Sequence, residues 1–115
     1  MCGLVGFLGG VDAAESDENL LRGMSDMLFL RGPDDGGYWF DSQERIGFAH
    51  RRLAIVDLSP AGHQPMVSAN RRFVIAFNGE IYNHLDIRSA LEELGQAPIW
   101  RGHSDTETLL AGIES

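Results

Sequence analysis

Three short stretches carry residue types that could do chemistry together: Cys2, Asn78-Gly79 and Ser104-Asp105-Thr106-Glu107. Cys2 is the single cysteine of the chain and follows Met1 directly. If Met1 is removed, one residue carries both a thiol and a free α-amine, and the amine can take the thiol proton to release a nucleophile. The alternative is a small hydrophobic residue in the core, which is the more common role of a lone cysteine. Position alone leaves both interpretations open.

Asn78-Gly79 follows the apolar run 73–77, where an Asn-Gly pair is typical of a two-residue hairpin turn. The pattern after it is helical rather than that of a partner strand. A turn that leads into a helix leaves the Asn78 amide and the Gly79 N–H able to converge on one point, as an oxyanion hole requires. Both a plain turn and an oxyanion hole fit the pattern.

Ser104 and Glu107 have the spacing of a capping box at a helix N-terminus. Asp105 then falls in the first helical turn, where the helix dipole favours a carboxylate. The same carboxylate could receive the ammonium group of a ligand, and the two roles are compatible. Arg52 is open in a similar way: arginines are mostly exposed, so it is either a solvated strand residue or a clamp for a carboxylate.

The elements that must position these residues follow from the hydrophobic pattern. A buried strand is predicted at 4–8, a hairpin at 38–40 and 46–56 with its turn at 41–45, and the clearest strand at 73–77. Because side chains alternate along a strand, Arg52 is expected to point away from the face that buries Leu53. Helices are predicted from Asp17, from about Leu85 to a glycine C-cap at Gly95, and from Ser104.

Length and composition exclude several classes of function. The chain has 115 residues, 43% of them hydrophobic, and a net charge of −8, which predicts one globular domain at 1–115 and argues against nucleic-acid or anionic-membrane partners. No apolar run approaches the ~20 residues of a membrane span, so a cytoplasmic protein is expected. The four histidines have no metal-ligand spacing and are expected to be structural or on the surface, and no metal site is predicted: His50, His63, His84 and His103.

Taken together, the motifs resemble the glutaminase domain of class II glutamine amidotransferases, a family of N-terminal-nucleophile hydrolases. They are Cys2-Gly3-Leu4-Val5-Gly6, Arg31-Gly32-Pro33-Asp34, Ala49-His50-Arg51-Arg52-Leu53-Ala54-Ile55-Val56-Asp57, His63-Gln64-Pro65-Met66, Asn78-Gly79-Glu80-Ile81-Tyr82-Asn83 and Ser104-Asp105-Thr106-Glu107. The second and third of them are similar to glutamine-hydrolysing asparagine synthetases rather than to the aminosugar or purine-pathway members. One departure is Leu30, where members commonly have His, and it is expected to affect packing more than chemistry.

The resemblance implies a role for each site residue. Cys2 would attack the side-chain amide of L-glutamine and form a thioester, with Asn78 and Gly79 as the oxyanion hole. Arg52 would bind the substrate α-carboxylate, and Glu80 and Asp105 its α-ammonium. Backbone groups at Leu53, Ala54, Ile55 and Val56 would line the same pocket. Arg31 would steady the loop around the nucleophile.

The resemblance also implies a fold, partners and cofactors. The expected fold is α+β, an αββα sandwich of antiparallel sheets, incomplete at its C-terminus because the family's domain is longer. No cofactor is expected for the glutaminase step, whereas ATP and Mg²⁺ belong to a synthetase domain or subunit, absent here, that would accept the ammonia. The ammonia would serve asparagine synthesis or a related amide transfer. The alternative is an inactive remnant that acts at most as an interaction module.

Overall fold

In the computed structural model, residues 2–9, 17–53 and 60–115 are described. They form five strands, three α-helices and two short 3₁₀ turns. The strands are β1 (Gly3–Leu8), β2 (Asp35–Asp41), β3 (Ile46–Arg52), β4 (Met66–Val67) and β5 (Val74–Ile75). The helices are α1 (Asp17–Asp26), α2 (His84–Glu93) and α3 (Asp105–Glu114), and the 3₁₀ turns are Phe29–Arg31 and Pro60–Gly62. The expected α+β class with antiparallel sheets is therefore confirmed.

Strand β3 is the centre of an antiparallel three-stranded sheet with the order β1-β3-β2. Gly47 in β3 lies opposite Phe7 of β1 and Phe40 of β2, and the two rings meet across it with centroids 6.1 Å apart. A methyl group on Gly47 would lie 2.7 Å from the Phe7 ring, so this contact needs glycine. The predicted hairpin of β2 and β3 is confirmed, with both strands longer than expected and β3 ending at Arg52.

Helix α1 packs against one face of this sheet, with Leu21 as its most buried apolar residue. Asp17 at its start forms a two-pronged ion pair with Arg45 from the β2–β3 turn, at 2.8 and 3.2 Å. Arginine and carboxylate match geometrically in such pairs, which fixes the helix start against the hairpin. The strand β1 is less buried than expected, because Leu4 and Leu8 lie on the face opposite α1 and are exposed.

The predicted strand at 73–77 is shorter than expected, since only Val74 and Ile75 pair with β4. Before this pair, the Phe73 N–H donates to Ser68 Oγ at 3.1 Å and the Ser68 N–H donates to the Phe73 carbonyl at 2.9 Å. Beyond it, the Phe77 backbone is bonded to side chains instead of a strand. The apolar run predicted strand propensity correctly but not the partners of its last residues.

Helices α2 and α3 pack together around a buried arginine. Arg88 donates to Thr108 Oγ1 at 2.7 Å and to the carbonyls of Gly102 and Ser104 at 2.8 and 2.9 Å. Its guanidinium also lies 4.1 Å from the centre of the Trp100 ring. A buried charge is tolerated when it is fully bonded in this way. The helix at 84–93 and its end at Gly95, with φ +68°, are confirmed.

Three packing expectations are wrong. Leu85 and Leu94 were expected on a buried face of α2, but the buried residues of that helix are Arg88 and Leu91. The bonds of Arg88 to α3 set which face of α2 is covered. Leu30 was expected to contribute to packing, but it is 92% exposed and contributes little within the described residues.

Neither a helix able to cross a membrane nor a group of three or more His, Cys, Asp or Glu placed to hold a metal ion is found among residues 2–9, 17–53 and 60–115.

Replacing Arg88 by methionine is expected to lower the free energy of unfolding by about 3–5 kcal/mol, because Glu107 and two carbonyls lose a buried charged partner. Urea unfolding of the two proteins measures the difference. Arg22→Met is the matched control, since Arg22 is exposed and only its stacking on Tyr38, at 4.7 Å, is lost, at about 0.5–1 kcal/mol. Equal losses in the two variants would show that the Arg88 network does not hold α2 to α3.

Candidate active site

One cavity of about 340 Å³ lies against the sheet face opposite α1, where β1, β3, the segment after β5 and the start of α3 meet. Seven of the residues predicted for the site line it: Cys2, Arg52, Leu53, Asn78, Gly79, Glu80 and Asp105. His50, Gly62, Gln64 and Thr106 lie in the same wall. Residues separated by up to a hundred positions in the sequence therefore share one concave surface.

Cys2 is placed by the pairing of β1 with β3. Gly3 lies opposite Arg51 in the sheet, so Cys2 lies beside the residues that follow it in β3. The Leu53 N–H donates to Cys2 Sγ at 3.3 Å, and the thiol lies 3.6 Å from the Leu53 carbonyl. The sulfur is half-buried at the cavity wall and held by backbone groups of a neighbouring segment.

Arg52 is buried, only 9% exposed, so the interpretation as a solvated strand residue is wrong. The strand ends at Arg52, and the alternation that was expected to separate it from Leu53 does not continue: both line the cavity. The guanidinium lies directly on the backbone of Gly62, where a methyl group would overlap with Arg52 Nη2. Glycine at this position makes room for the arginine beside the cavity.

The loop predicted around Arg31-Gly32-Pro33-Asp34 packs on the end of β3. A methyl group on Gly32 would overlap with the Arg51 carbonyl, and the Asp34 N–H donates to the Arg52 carbonyl at 2.9 Å. Arg31 is exposed and makes one long hydrogen bond, 3.5 Å, from Nε to the Cys2 carbonyl. The structure therefore places Arg31 against the Cys2 backbone rather than in the cavity.

Asp105 is the buried first residue of α3, and its Oδ2 accepts the Ile81 N–H at 2.8 Å. A carboxylate has about four acceptor positions, so this bond leaves capacity for an ammonium group in the cavity. Half of the predicted capping box is confirmed, because Ser104 Oγ accepts the Glu107 N–H at 3.1 Å. The Glu107 carboxylate instead accepts the N–H groups of Arg101 and Gly102, at 2.7 and 3.0 Å.

Asn78, Gly79 and Glu80 are exposed at the mouth of the cavity. The residue before them, Phe77, has its N–H bonded to Gln64 Oε1 at 2.6 Å and its carbonyl bonded to His50 Nε2 at 3.2 Å. Two side chains thus hold the peptide that leads into Asn78. A methyl group on Gly79 would lie 2.7 Å from the Phe77 ring, which makes glycine the residue that fits.

His50 and Gln64 are cavity residues that the sequence analysis did not assign. His50 is 1% exposed, so the expectation of a surface histidine is wrong for this residue. Its position carries a signal: His50 and Arg52 are two residues apart in β3 and share a face of the sheet. Gln64 lies in a recognised motif, but no periodic pattern predicts the direction of a side chain in a loop. Ala54, Ile55 and Val56 lie outside the described residues.

Two titratable groups near the cavity have shifted pKa values. Burial lowers the pKa of His50 below its ordinary 6.5, although the bond to the Phe77 carbonyl and the charge of Asp35 oppose the shift. Burial alone would raise the pKa of Asp35, but its bond to His63 at 2.6 Å, the His63 charge and the Gly36 N–H outweigh this and lower it. His50 is therefore neutral near pH 7 and Asp35 is charged.

Comparison with known proteins agrees with this site. The sequence profile of the family described as "Glutamine amidotransferase domain" matches residues 1–115. The chain is 42% identical over 113 residues to glutamine-hydrolyzing asparagine synthetase 1 of Bacillus subtilis (strain 168), covering 96% of the chain and 17% of that protein. It is 43% identical over 94 residues to asparagine synthetase 2 of the same organism, covering 79% and 12%. The chain thus spans less than a fifth of the length of these relatives.

The pKa of His50 predicts a loss of stability on acidification. Between 6.5 and its lower folded value, the unfolded chain binds a proton that the folded protein does not, so the free energy of unfolding falls as the pH falls through this window. Urea unfolding of wild type and His50→Gln at several pH values measures it, and the variant is expected to lose part of the slope below pH 6.5.

Asp35→Asn is the control, because a lowered carboxyl pKa acts in a different window. The stability that Asp35 contributes is present above 3.8 and is lost as the pH falls below that value, toward its folded pKa. This variant is expected to keep the slope near pH 6. Identical slopes for wild type and His50→Gln just below pH 6.5 would contradict the assignment of a buried neutral imidazole.

Proposed function

Since this chain belongs to the glutamine amidotransferase domain family, we propose that it hydrolyses the side-chain amide of L-glutamine to glutamate and ammonia, with Cys2 as the nucleophile. One observation carries the proposal: the single thiol, a buried arginine and a buried aspartate line one cavity. These are a nucleophile, a group for a carboxylate and a group for an ammonium. A free amino acid with a reactive side chain presents that set of partners.

The substrate is oriented by its α-amino-acid end. Arg52 receives the α-carboxylate, because a guanidinium presents parallel N–H donors that match two carboxylate oxygens. Asp105 receives the α-ammonium with the acceptor capacity that Ile81 leaves, and Glu80 at the cavity mouth adds a second negative charge. Holding both ends of the substrate backbone directs its side-chain amide toward Cys2. This is the positioning that makes the attack effectively unimolecular.

The reaction is an acyl transfer in two halves. Cys2 Sγ attacks the amide carbon, and the oxygen that gains negative charge is received by the Asn78 side chain and the Gly79 N–H. The C–N bond then breaks, the nitrogen takes up the thiol proton by way of the α-amine of Cys2, and ammonia leaves a glutamyl thioester. Water adds to the thioester, the C–S bond breaks, and glutamate and the thiol are released. Met1, whose removal frees the α-amine, lies outside the described residues.

The longer relatives suggest where the ammonia goes. Those compared above are named glutamine-hydrolyzing asparagine synthetases. The proposal for this protein is that a synthetase domain or subunit accepts the ammonia for asparagine synthesis or a related amide transfer, and that ATP and Mg²⁺ act there and not in the cavity. It extends to a cytoplasmic protein without nucleic-acid or membrane partners. The α+β fold, with α1 on one sheet and α2–α3 on the far side of the cavity, is compatible with the αββα sandwich.

Three variants are expected to separate the roles in a glutaminase assay. Cys2→Ala abolishes hydrolysis because no thioester forms. Arg52→Lys raises KM roughly tenfold to a hundredfold with a smaller effect on kcat, since a lysine cannot make the two-pronged bond in either ground or transition state. Asn78→Ala lowers kcat by about 10²–10³ with little change in KM, because the oxyanion exists only in the transition state.

Glutamate release at saturating and limiting L-glutamine gives kcat and KM for each variant. Arg22→Met, whose arginine is exposed on α1, is the control for loss of a positive charge and is expected to match wild type. Hydrolysis by Cys2→Ala at the wild-type rate would exclude the nucleophile. A folded wild-type protein without glutaminase activity would favour the alternative of an inactive remnant.

A further inference from the structure

We infer that His50 and Gln64 are positioning residues that aim the Asn78–Gly79 segment at the reacting carbonyl. The inference rests on the proposed glutaminase function, to which it adds two groups that neither the sequence motifs nor the chemistry of glutamine requires. It starts from Phe77, the residue directly before Asn78. Both polar groups of its backbone are bonded to buried side chains.

The first step is what replaces a strand partner at Phe77. Strand β5 ends at Ile75, two residues earlier, so the sheet does not hold Phe77. Its N–H donates to Gln64 Oε1 at 2.6 Å, and its carbonyl accepts from His50 Nε2 at 3.2 Å. Bonds on both sides of one residue restrict its rotation about both backbone dihedrals. The direction in which the chain enters Asn78 is therefore set by these two side chains.

The second step is the protonation state of His50. A carbonyl can only accept a hydrogen bond, so Nε2 carries the hydrogen and Nδ1 of the neutral ring does not. Nδ1 is buried and has no hydrogen-bond partner among residues 2–9, 17–53 and 60–115. An apolar ring would fill this place without leaving that nitrogen unpaired. The imidazole is explained by the one bond that it makes, to Phe77.

The third step is the second end of Gln64. Its Nε2 donates to Thr106 Oγ1 at 3.1 Å, next to Asp105 in the first turn of α3. Gln64 is 7% exposed, and its amide is used on both sides, one as acceptor and one as donor. It therefore connects the segment that stabilises the oxyanion to the helix that carries the ammonium-binding carboxylate. A carboxylate in its place could not donate to Thr106.

These contacts matter for the rate because oxyanion donors work only near their ideal position. A displacement of about 1 Å can cost on the order of a hundredfold in rate. Asn78 and Gly79 are exposed, so few packing contacts fix them. The bonds to Phe77 supply the restraint that burial does not.

The test compares His50→Gln with His50→Asn. The glutamine amide reaches the position of Nε2 and can donate to the Phe77 carbonyl, whereas the shorter asparagine amide cannot. We expect His50→Asn to lower kcat for glutamine hydrolysis about tenfold to a hundredfold with KM changed less than about threefold. His50→Gln is expected to retain most of the wild-type kcat. Gln64→Met, which removes the acceptor at Phe77, should behave like His50→Asn.

Thr108→Val is the structural control. It removes a buried hydrogen bond, from Arg88 at 2.7 Å, on the α2–α3 side of the molecule, away from the cavity. It is expected to lower the Tm while leaving kcat unchanged. If His50→Asn and Thr108→Val lose the same Tm but only His50→Asn loses kcat, stability is not the cause. Equal kcat for His50→Asn and His50→Gln would overturn the inference.

Crystal structures of the two His50 variants give a readout that does not depend on turnover. Asn78 and Gly79 are expected to shift relative to Cys2 Sγ in His50→Asn and to keep their place in His50→Gln. An unshifted segment in His50→Asn would overturn the inference whether or not the protein hydrolyses glutamine. The glutaminase proposal fails separately, through activity that survives Cys2→Ala.

Discussion

The antiparallel register between β1 and β3 is the constraint on which the site depends. With Gly3 opposite Arg51, the chain start lies beside Leu53, whose N–H bonds to the Cys2 sulfur. A slip of one residue would turn every side chain of β1 to the other face. It would also move Cys2 away from Arg52. The register is fixed by packing far from the cavity, where Phe7 and Phe40 meet over Gly47.

The rest of the cavity is built from side chain to backbone bonds rather than from further strands. Phe77 is held by His50 and Gln64, and Ile81 is held by Asp105. Each bond joins one chain segment of the cavity to another, so the cavity forms when they all assemble. In a poorly hydrated wall such bonds are costly to leave unmade, which makes the arrangement specific.

The sequence predicted the parts of this structure that follow from local pattern or from a motif. The β2–β3 hairpin, the helices at 84–93 and 105–114, and the glycine end at Gly95 follow from hydrophobic period and capping. The cavity residues were named from motifs, and seven of them lie together. The burial of Arg52, the early end of β5 and the partners of Phe77 could not be predicted, because each depends on a contact between distant segments. Alternation along β3 was the available sign that His50 shares a face with Arg52.

The most direct test of the central claim is the mass of the N-terminal peptide during turnover. The protein is mixed with L-glutamine, quenched in acid within the first turnovers, digested and analysed by mass spectrometry. The account predicts an N-terminal peptide that begins at Cys2 and carries a glutamyl group on sulfur, which is absent without substrate and from Cys2→Ala. Active protein that retains Met1, or glutamine hydrolysis with the glutamyl group on another residue, would contradict it.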